Sequence, residues 1–150
     1  MRHADAEDGN GSDYARVLTE KGRSQAERMG NWLARIRLAP IRILTSPFLR
    51  AQETATIVAQ CLGTRDLPQP DERLACGMTT DQASAMIHEL GGDVSLMLVG
   101  HAPDLGLLAS HLIGAKEIGV EMRKGAAASF DVHRPGFGGS VLQWLINPGL

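Results

Sequence analysis

The segment Val94-Ser95-Leu96-Met97-Leu98-Val99 constrains the chain most. It is a nearly continuous apolar run of strand length, and such a run fits a β-strand covered on both faces, as in parallel sheets. A strand of this kind requires helices above and below it. The chain supplies candidates. Ala26, Met29, Leu33 and Ile36 recur at helical spacing behind Thr19, a plausible N-cap. Ser46-Pro47 is read as the start of a second helix running to about Leu62, with Ala55, Val58, Ala59 and Leu62 facing inward. Thr80 is read as the cap of a third helix ending near Leu90, and a fourth covers about Asp104 to Ile113. Ile41 to Thr45 reads as a short strand, and Ala127–His133 and Val141–Ile146 as closing strands joined by a turn-rich linker. Gly63 to Gly77 is the longest stretch expected to be irregular. Strands alternating with helices predict a three-layer α/β/α sandwich with a mostly parallel central sheet, formed by a single domain over residues 1–150.

Composition narrows the functions available. A formal net charge of -2 gives no reason to expect nucleic acid or an anionic membrane surface as partner. Two cysteines, Cys61 and Cys76, make neither a disulfide framework nor a four-thiolate zinc site and read as reduced structural thiols. No run approaches the length of a membrane span, and the start Met-Arg-His-Ala-Asp-Ala-Glu-Asp lacks a signal-peptide core, so a cytoplasmic location is expected. Asn10-Gly11-Ser12 then reads as a chance sequon in a turn.

In open α/β folds ligands collect beyond the carboxyl ends of the strands. Three segments place cations or imidazoles there: Arg2-His3-Ala4, Ser46 to Ala55 with Arg50, and Val99-Gly100-His101. Each alone is weak, since an isolated Arg-His pair is usually surface and a single histidine after a strand is usually structural. His88, His111 and His133 show no metal-ligand spacing. A zinc site from His3, His101 and a carboxylate is an alternative reading, and the preferred one has no metal and no cofactor. Gly136-Phe137-Gly138-Gly139 lacks the strand-to-helix context of a phosphate loop and reads as a hairpin turn.

Together the three segments, with Leu18-Thr19-Glu20-Lys21-Gly22 and Gln25-Ala26, resemble the histidine phosphatase superfamily, which includes the phosphoglycerate mutases. The resemblance covers essentially the whole chain. It implies a phosphoglycerate mutase-like fold in a minimal form without the large helical insertion. It also implies a nucleophile at His3 and phosphate binding by Arg2, Arg50 and His101, with Ser46 beside them. The chemistry agrees: a neutral imidazole is a competent nucleophile near pH 7, and planar guanidinium groups suit phosphoryl oxygens. A phosphate- or sulfate-like anion is therefore the expected occupant. Lys124 resembles a pocket lysine of the shorter family members, and an ordinary surface lysine accounts for it equally well.

The family's carboxylic general acid has no clear counterpart. The corresponding segment, Asp71 to Gly77, places Cys76 at that position, leaving Asp5 and Glu72 (or Asp71) as candidate acids. An alkoxide leaving group needs a proton, whereas an imidazole needs far less help. The chain thus resembles the SixA-type branch, phosphohistidine phosphatases acting on histidine-phosphorylated signalling or carrier proteins. The alternatives are a small-molecule phosphomonoesterase and a non-catalytic phosphohistidine-binding module. The family runs a full apolar strand into its Arg-His motif, and here only Met1 precedes it. The expectation is either an incomplete start or a very short central strand from Met1 to Ala4, with consequences for how firmly His3 is held.

Overall fold

A computed structural model of the chain describes residues 1–9, 11–38, 40, 42–90, 94–116 and 119–148. Asn10 of the sequon and Ile41, the expected first residue of a strand, lie outside them. Helix α1 spans Glu20–Arg35 and strand β1 Arg42–Thr45; helix α2 (Leu49–Leu62) follows. Then come a two-residue strand β2 (Gln69–Pro70), α3 (Thr80–Glu89), β3 (Leu96–Val99) and α4 (Asp104–Leu112). Strands β4 (Ala127–Val132) and β5 (Ser140–Ile146) close the chain. Single turns of 3₁₀ helix cover Asp13–Ala15 and Glu72–Leu74.

Strands β2, β1 and β3 form a parallel sheet in that order, and β4 and β5 form an antiparallel hairpin. The first residues join the two. Met1 donates its N–H to Leu98 O (2.7 Å), Gly100 N–H donates to Met1 O (3.1 Å), and His3 N–H donates to Gly100 O (2.9 Å). On the other side Arg2 N–H donates to Ala126 O and Gly125 N–H to His3 O, both at 2.9 Å. Met1 to His3 is thus a very short central strand between β3 and the start of β4. Beyond Met1, toward the other end of the sheet, a cavity of about 830 Å³ opens between the two strands, lined by Leu96, Leu98, Leu108, Ala128, Phe130 and Trp144.

Two apolar cores lie on opposite faces of the sheet. One packs Met29 and Leu33 of α1 and Ala55 and Val58 of α2 against Ile43, Met97 and Val99. The other packs Met86 of α3 and Leu105, Leu108 and Leu112 of α4 against Leu44, with Leu96 and Leu98 at its margin. Consecutive residues Ile43 and Leu44 enter opposite cores, as the two-residue strand repeat requires, which accounts for the unbroken apolar runs. The three-layer arrangement follows, each fully buried Leu, Val or Met being worth about 1.5–3 kcal/mol.

Several element ends differ from the sequence expectation. Ile36 is not an inward residue of α1: it is the C-cap and 43% exposed, because the helix stops at Arg35. Helix α2 starts at Leu49, not at Pro47, because Phe48 keeps an extended backbone as N-cap while Ser46 turns its hydroxyl into the site. Thr79, not Thr80, caps α3, through a reciprocal capping box with Gln82. The Gly63–Gly77 stretch is not wholly irregular, since Gln69 and Pro70 pair with Leu44 and Thr45 at the sheet edge. Gly136 to Gly139 does form the turn joining β4 to β5, His133 N–H donating to Gly139 O.

Candidate active site

The residues gathered at the carboxyl end of the sheet are those at its strand ends. His3 leaves the short first strand, Ser46 follows β1, Arg50 stands in the first turn of α2, and His101 follows β3. All four are buried. Their burial needs polar partners, and each has them.

His3 is oriented by the backbone. Its Nδ1 lies 2.7 Å from Ala4 O, and a carbonyl can only accept, so Nδ1 carries the proton and Nε2 keeps its lone pair. Nε2 faces Arg50, whose Nε–H approaches at 3.4 Å. His101 has the complementary arrangement. Arg50 Nη2 reaches its Nδ1 at 3.5 Å, so Nε2–H donates to Ser46 Oγ at 2.7 Å. The two imidazole centroids are 5.2 Å apart. Burial is the main reason that the His3 ring is pushed down to about 4; the bond to Ala4 O opposes it, and repulsion from Arg50, Arg2 and Lys124 adds to it. His101 is pushed down to about 3, first by burial and then by His3 and Arg50. Both rings are neutral at pH 7.

Local packing fixes these groups. Thr54 Oγ donates to Arg50 O within α2 and accepts from Ala4 N–H at 3.0 Å, tying the His3 strand to the helix that carries Arg50. Phe48 packs edge-on against His101 and lies under the Arg50 guanidinium. Arg2 sends Nη1 to Met122 O at 2.9 Å, and its Nε is buried with no partner among the described residues.

None of the candidate acids, Asp5, Glu72 and Asp71, hydrogen-bonds to the His3–Arg50–His101 cluster among the described residues. Asp5 accepts from Lys124 Nζ at 2.6 Å and from Thr19 Oγ at 2.9 Å; the bond from Lys124 leads in holding its carboxyl below the usual range. Lys124 therefore serves Asp5. Glu72 is exposed on its 3₁₀ turn, with no hydrogen bond to the cluster among the described residues. Asp71 is occupied by Arg73. Cys76 does face the site, its sulfur 3.8 Å from Arg50 Nη2.

Sequence reasoning missed one functional candidate, Asp13. Its carboxylate receives Arg50 Nη2 at 3.1 Å and Nη1 at 3.3 Å, and its carbonyl receives Nη1 at 2.7 Å. The Gly-rich loop around it offers no periodic signal; the only clue is an acidic residue beside the aromatic Tyr14, which stacks on Phe48.

The arrangement is a neutral imidazole facing a buried guanidinium, with a second imidazole and a hydroxyl behind it. The family model for histidine phosphatase superfamily branch 1 matches residues 1–75. The phosphohistidine phosphatase SixA of Escherichia coli K12 is 32% identical over 155 residues, covering 99% of this chain and 91% of that protein. The chain belongs to the histidine phosphatase superfamily. Another relative, the SixA homolog of Haemophilus influenzae, is 34% identical over 128 residues, covering 77% of this chain and 76% of its own. A solved structure of the protein histidine phosphatase SixA with tungstate superposes with a TM-score of 0.88 at 29% identity, covering 99% and 94% of the two chains. This histidine phosphatase fold is thus shared over essentially the full chain. Among the described residues no group of three or more His, Cys, Asp or Glu could hold a metal ion, and no helix is long and apolar enough to cross a membrane.

Proposed function

We propose that this protein is a phosphohistidine phosphatase of the SixA type in which His3 Nε2 takes the phosphoryl group and water then releases it. The observation that carries the reading is the His3 tautomer: Nδ1–H is held by Ala4 O and the Nε2 lone pair points at Arg50. Attack by Nε2 on phosphorus breaks the bond to the departing imidazole, and hydrolysis of phospho-His3 yields phosphate, two steps replacing one. Arg50, with Arg2 and His101, supplies the donors for the equatorial oxygens, whose charge dominates such transition states. Ser46 fixes the His101 ring and belongs to the binding site through it.

The substrate class is supported by leaving-group chemistry. Asp5 is ionised by its lysine, and Cys76 stands where Arg50 could meet an acid. A site whose carboxyl groups are held ionised suits an N–P bond, because imidazole departs with little help. The partner proposed is therefore a histidine-phosphorylated signalling or carrier protein in the cytoplasm, acted on by one domain over residues 1–150.

The test compares phosphohistidine with p-nitrophenyl phosphate. Turnover of the first is expected to dominate; fast ester cleavage with inert phosphohistidine would overturn the reading. His3→Ala should abolish turnover while phosphate still binds, and Arg50→Ala should weaken both. Near-normal turnover by His3→Ala would exclude the covalent route and, with retained binding, favour a binding module.

A further inference from the structure

If His3 takes the phosphoryl group, a second group must handle the water that removes it. Asp13 is the carboxylate placed for this. Arg50 holds His3 Nε2 from its Nε side at 3.4 Å and the Asp13 carboxylate from its Nη side at 3.1 and 3.3 Å, so the guanidinium spans the gap between the two. A phosphoryl group on Nε2 that takes the guanidinium for itself comes to lie between them. Asp13 then loses Arg50 but remains tethered, because Arg16 Nη1 donates to its Oδ1 at 2.9 Å. Its side chain is 53% exposed, so bulk water reaches it. Other carboxylates near the cluster have other partners: Asp5 has Lys124 and Thr19, Asp104 has the N–H of Gly77 at 2.8 Å, and the fully exposed Asp8 pairs with Arg16 at 3.7 Å.

We infer that Asp13 is the general base of the dephosphorylation step, and that in the free protein the same carboxylate occupies the anion's place on Arg50. The inference rests on the reading of His3 as phosphoryl acceptor. In the step, the water oxygen forms a bond to phosphorus while one water proton passes to an Asp13 oxygen. The P–Nε2 bond breaks with its electron pair returning to the imidazole, and inorganic phosphate leaves. Bonds from Arg16 and then Arg50 keep the Asp13 carboxyl below its ordinary range, so in the free protein it is ionised and does not serve as an acid. Loss of Arg50 to the phosphoryl group removes one of these bonds and makes the carboxylate a stronger proton acceptor. Arg16, Arg50 and, through Arg50, His101 and Cys76 are the ionisable groups that face it.

The experiment is rapid-quench turnover of a short ³²P-labelled phosphohistidine peptide by wild type, Asp13→Asn and Asp13→Glu. Release of dephosphorylated peptide reports the first step and release of inorganic phosphate the second. For Asp13→Asn, phosphate release should fall at least about a hundredfold, the usual worth of a positioned base. The first step should hold within about threefold, and acid-labile phosphate should accumulate on His3. Asp13→Glu should restore part of the second step. Vanadate should bind Asp13→Asn more tightly than wild type, because Arg50 is no longer occupied. Unchanged phosphate release would overturn the assignment, as would equal slowing of both steps, which would make Asp13 only a support for Arg50. Absence of any phospho-His3 in the wild type would instead bring down the nucleophile reading itself, so the two failures are distinguishable.

Discussion

His3 is neutral at pH 7 because its surroundings refuse a second proton. Burial contributes most, and the charges of Arg50, Arg2 and Lys124 act in the same direction. In the unfolded chain this imidazole binds a proton near its ordinary value of about 6.5, and in the fold only near 4. Between those values the unfolded state holds more protons, so stability rises with pH across that window and is level above it. His101, pushed down to about 3, adds to the same slope. Imidazole resonances of both residues should therefore show no protonation when titrated from pH 7.5 to 5. The urea midpoint should fall over the same range, and less steeply in His3→Gln. A His3 titration centred near 6.5 would contradict this. His3, Arg50 and His101 were legible in the sequence because each follows a recognisable strand or opens a helix. Asp13 was not: its site is created by a contact between a loop and a helix 37 positions away, and no local pattern encodes that.

At the scale of elements, the site depends on how closely α1 approaches the loop after His3. Thr19 both caps α1, accepting Gly22 N–H at 3.0 Å, and donates to Asp5, so the cap and the loop share one side chain. Gly22 permits this approach, for a Cβ there would sit 1.9 Å from Asp5 O. Gly22→Ala must push the helix from the loop, and overpacking of this kind costs about 1–3 kcal/mol. Thr19→Ala should cost about 1 kcal/mol through the lost cap alone. Thermal unfolding should rank Gly22→Ala below Thr19→Ala, and only the glycine variant should also lose turnover severalfold through displacement of His3. Equal stability of wild type and Gly22→Ala would refute the contact. The cap at Thr19 was readable because side-chain caps leave a polar signature ahead of an amphipathic stretch. The start of α2 was not, because Phe48 has no side-chain cap and is held extended by what Ser46 and His101 require.

Among the described residues, the pairing that joins β3 to β4 through Met1–His3 lies at the end of the sheet that carries the candidate site. Arg42 N–H donates to Ser95 O and Ser46 N–H to Val99 O, so the odd-numbered residues of β3 face β1. Leu98 and Gly100 face the other way, toward Met1 and the cavity. The carbonyl of Leu98 takes the Met1 N–H, and beside this bond lies the cavity, lined largely by apolar side chains. The sequence indicated the strands and their burial from their apolar runs. Pairing of Met1–His3 on both sides depends on Gly125 and Ala126, far along the chain and outside any predicted strand. The molecule should accordingly open locally along this seam before it unfolds. Native-state hydrogen exchange can detect that, because amides in a locally opening region exchange with a smaller free energy than those that need global unfolding. Met97 and Val99 N–H groups, directed at β1, should exchange with the global free energy. The intervening Leu98 N–H should exchange about a hundredfold faster or more, although it belongs to the same strand. Addition of vanadate, expected to bridge His3 and Arg50 across the sheet end, should slow exchange at Gly100 and at His3 more than at Leu98. Uniform protection along β3 would mean that the seam is closed in solution and that the first strand holds His3 without help from the site.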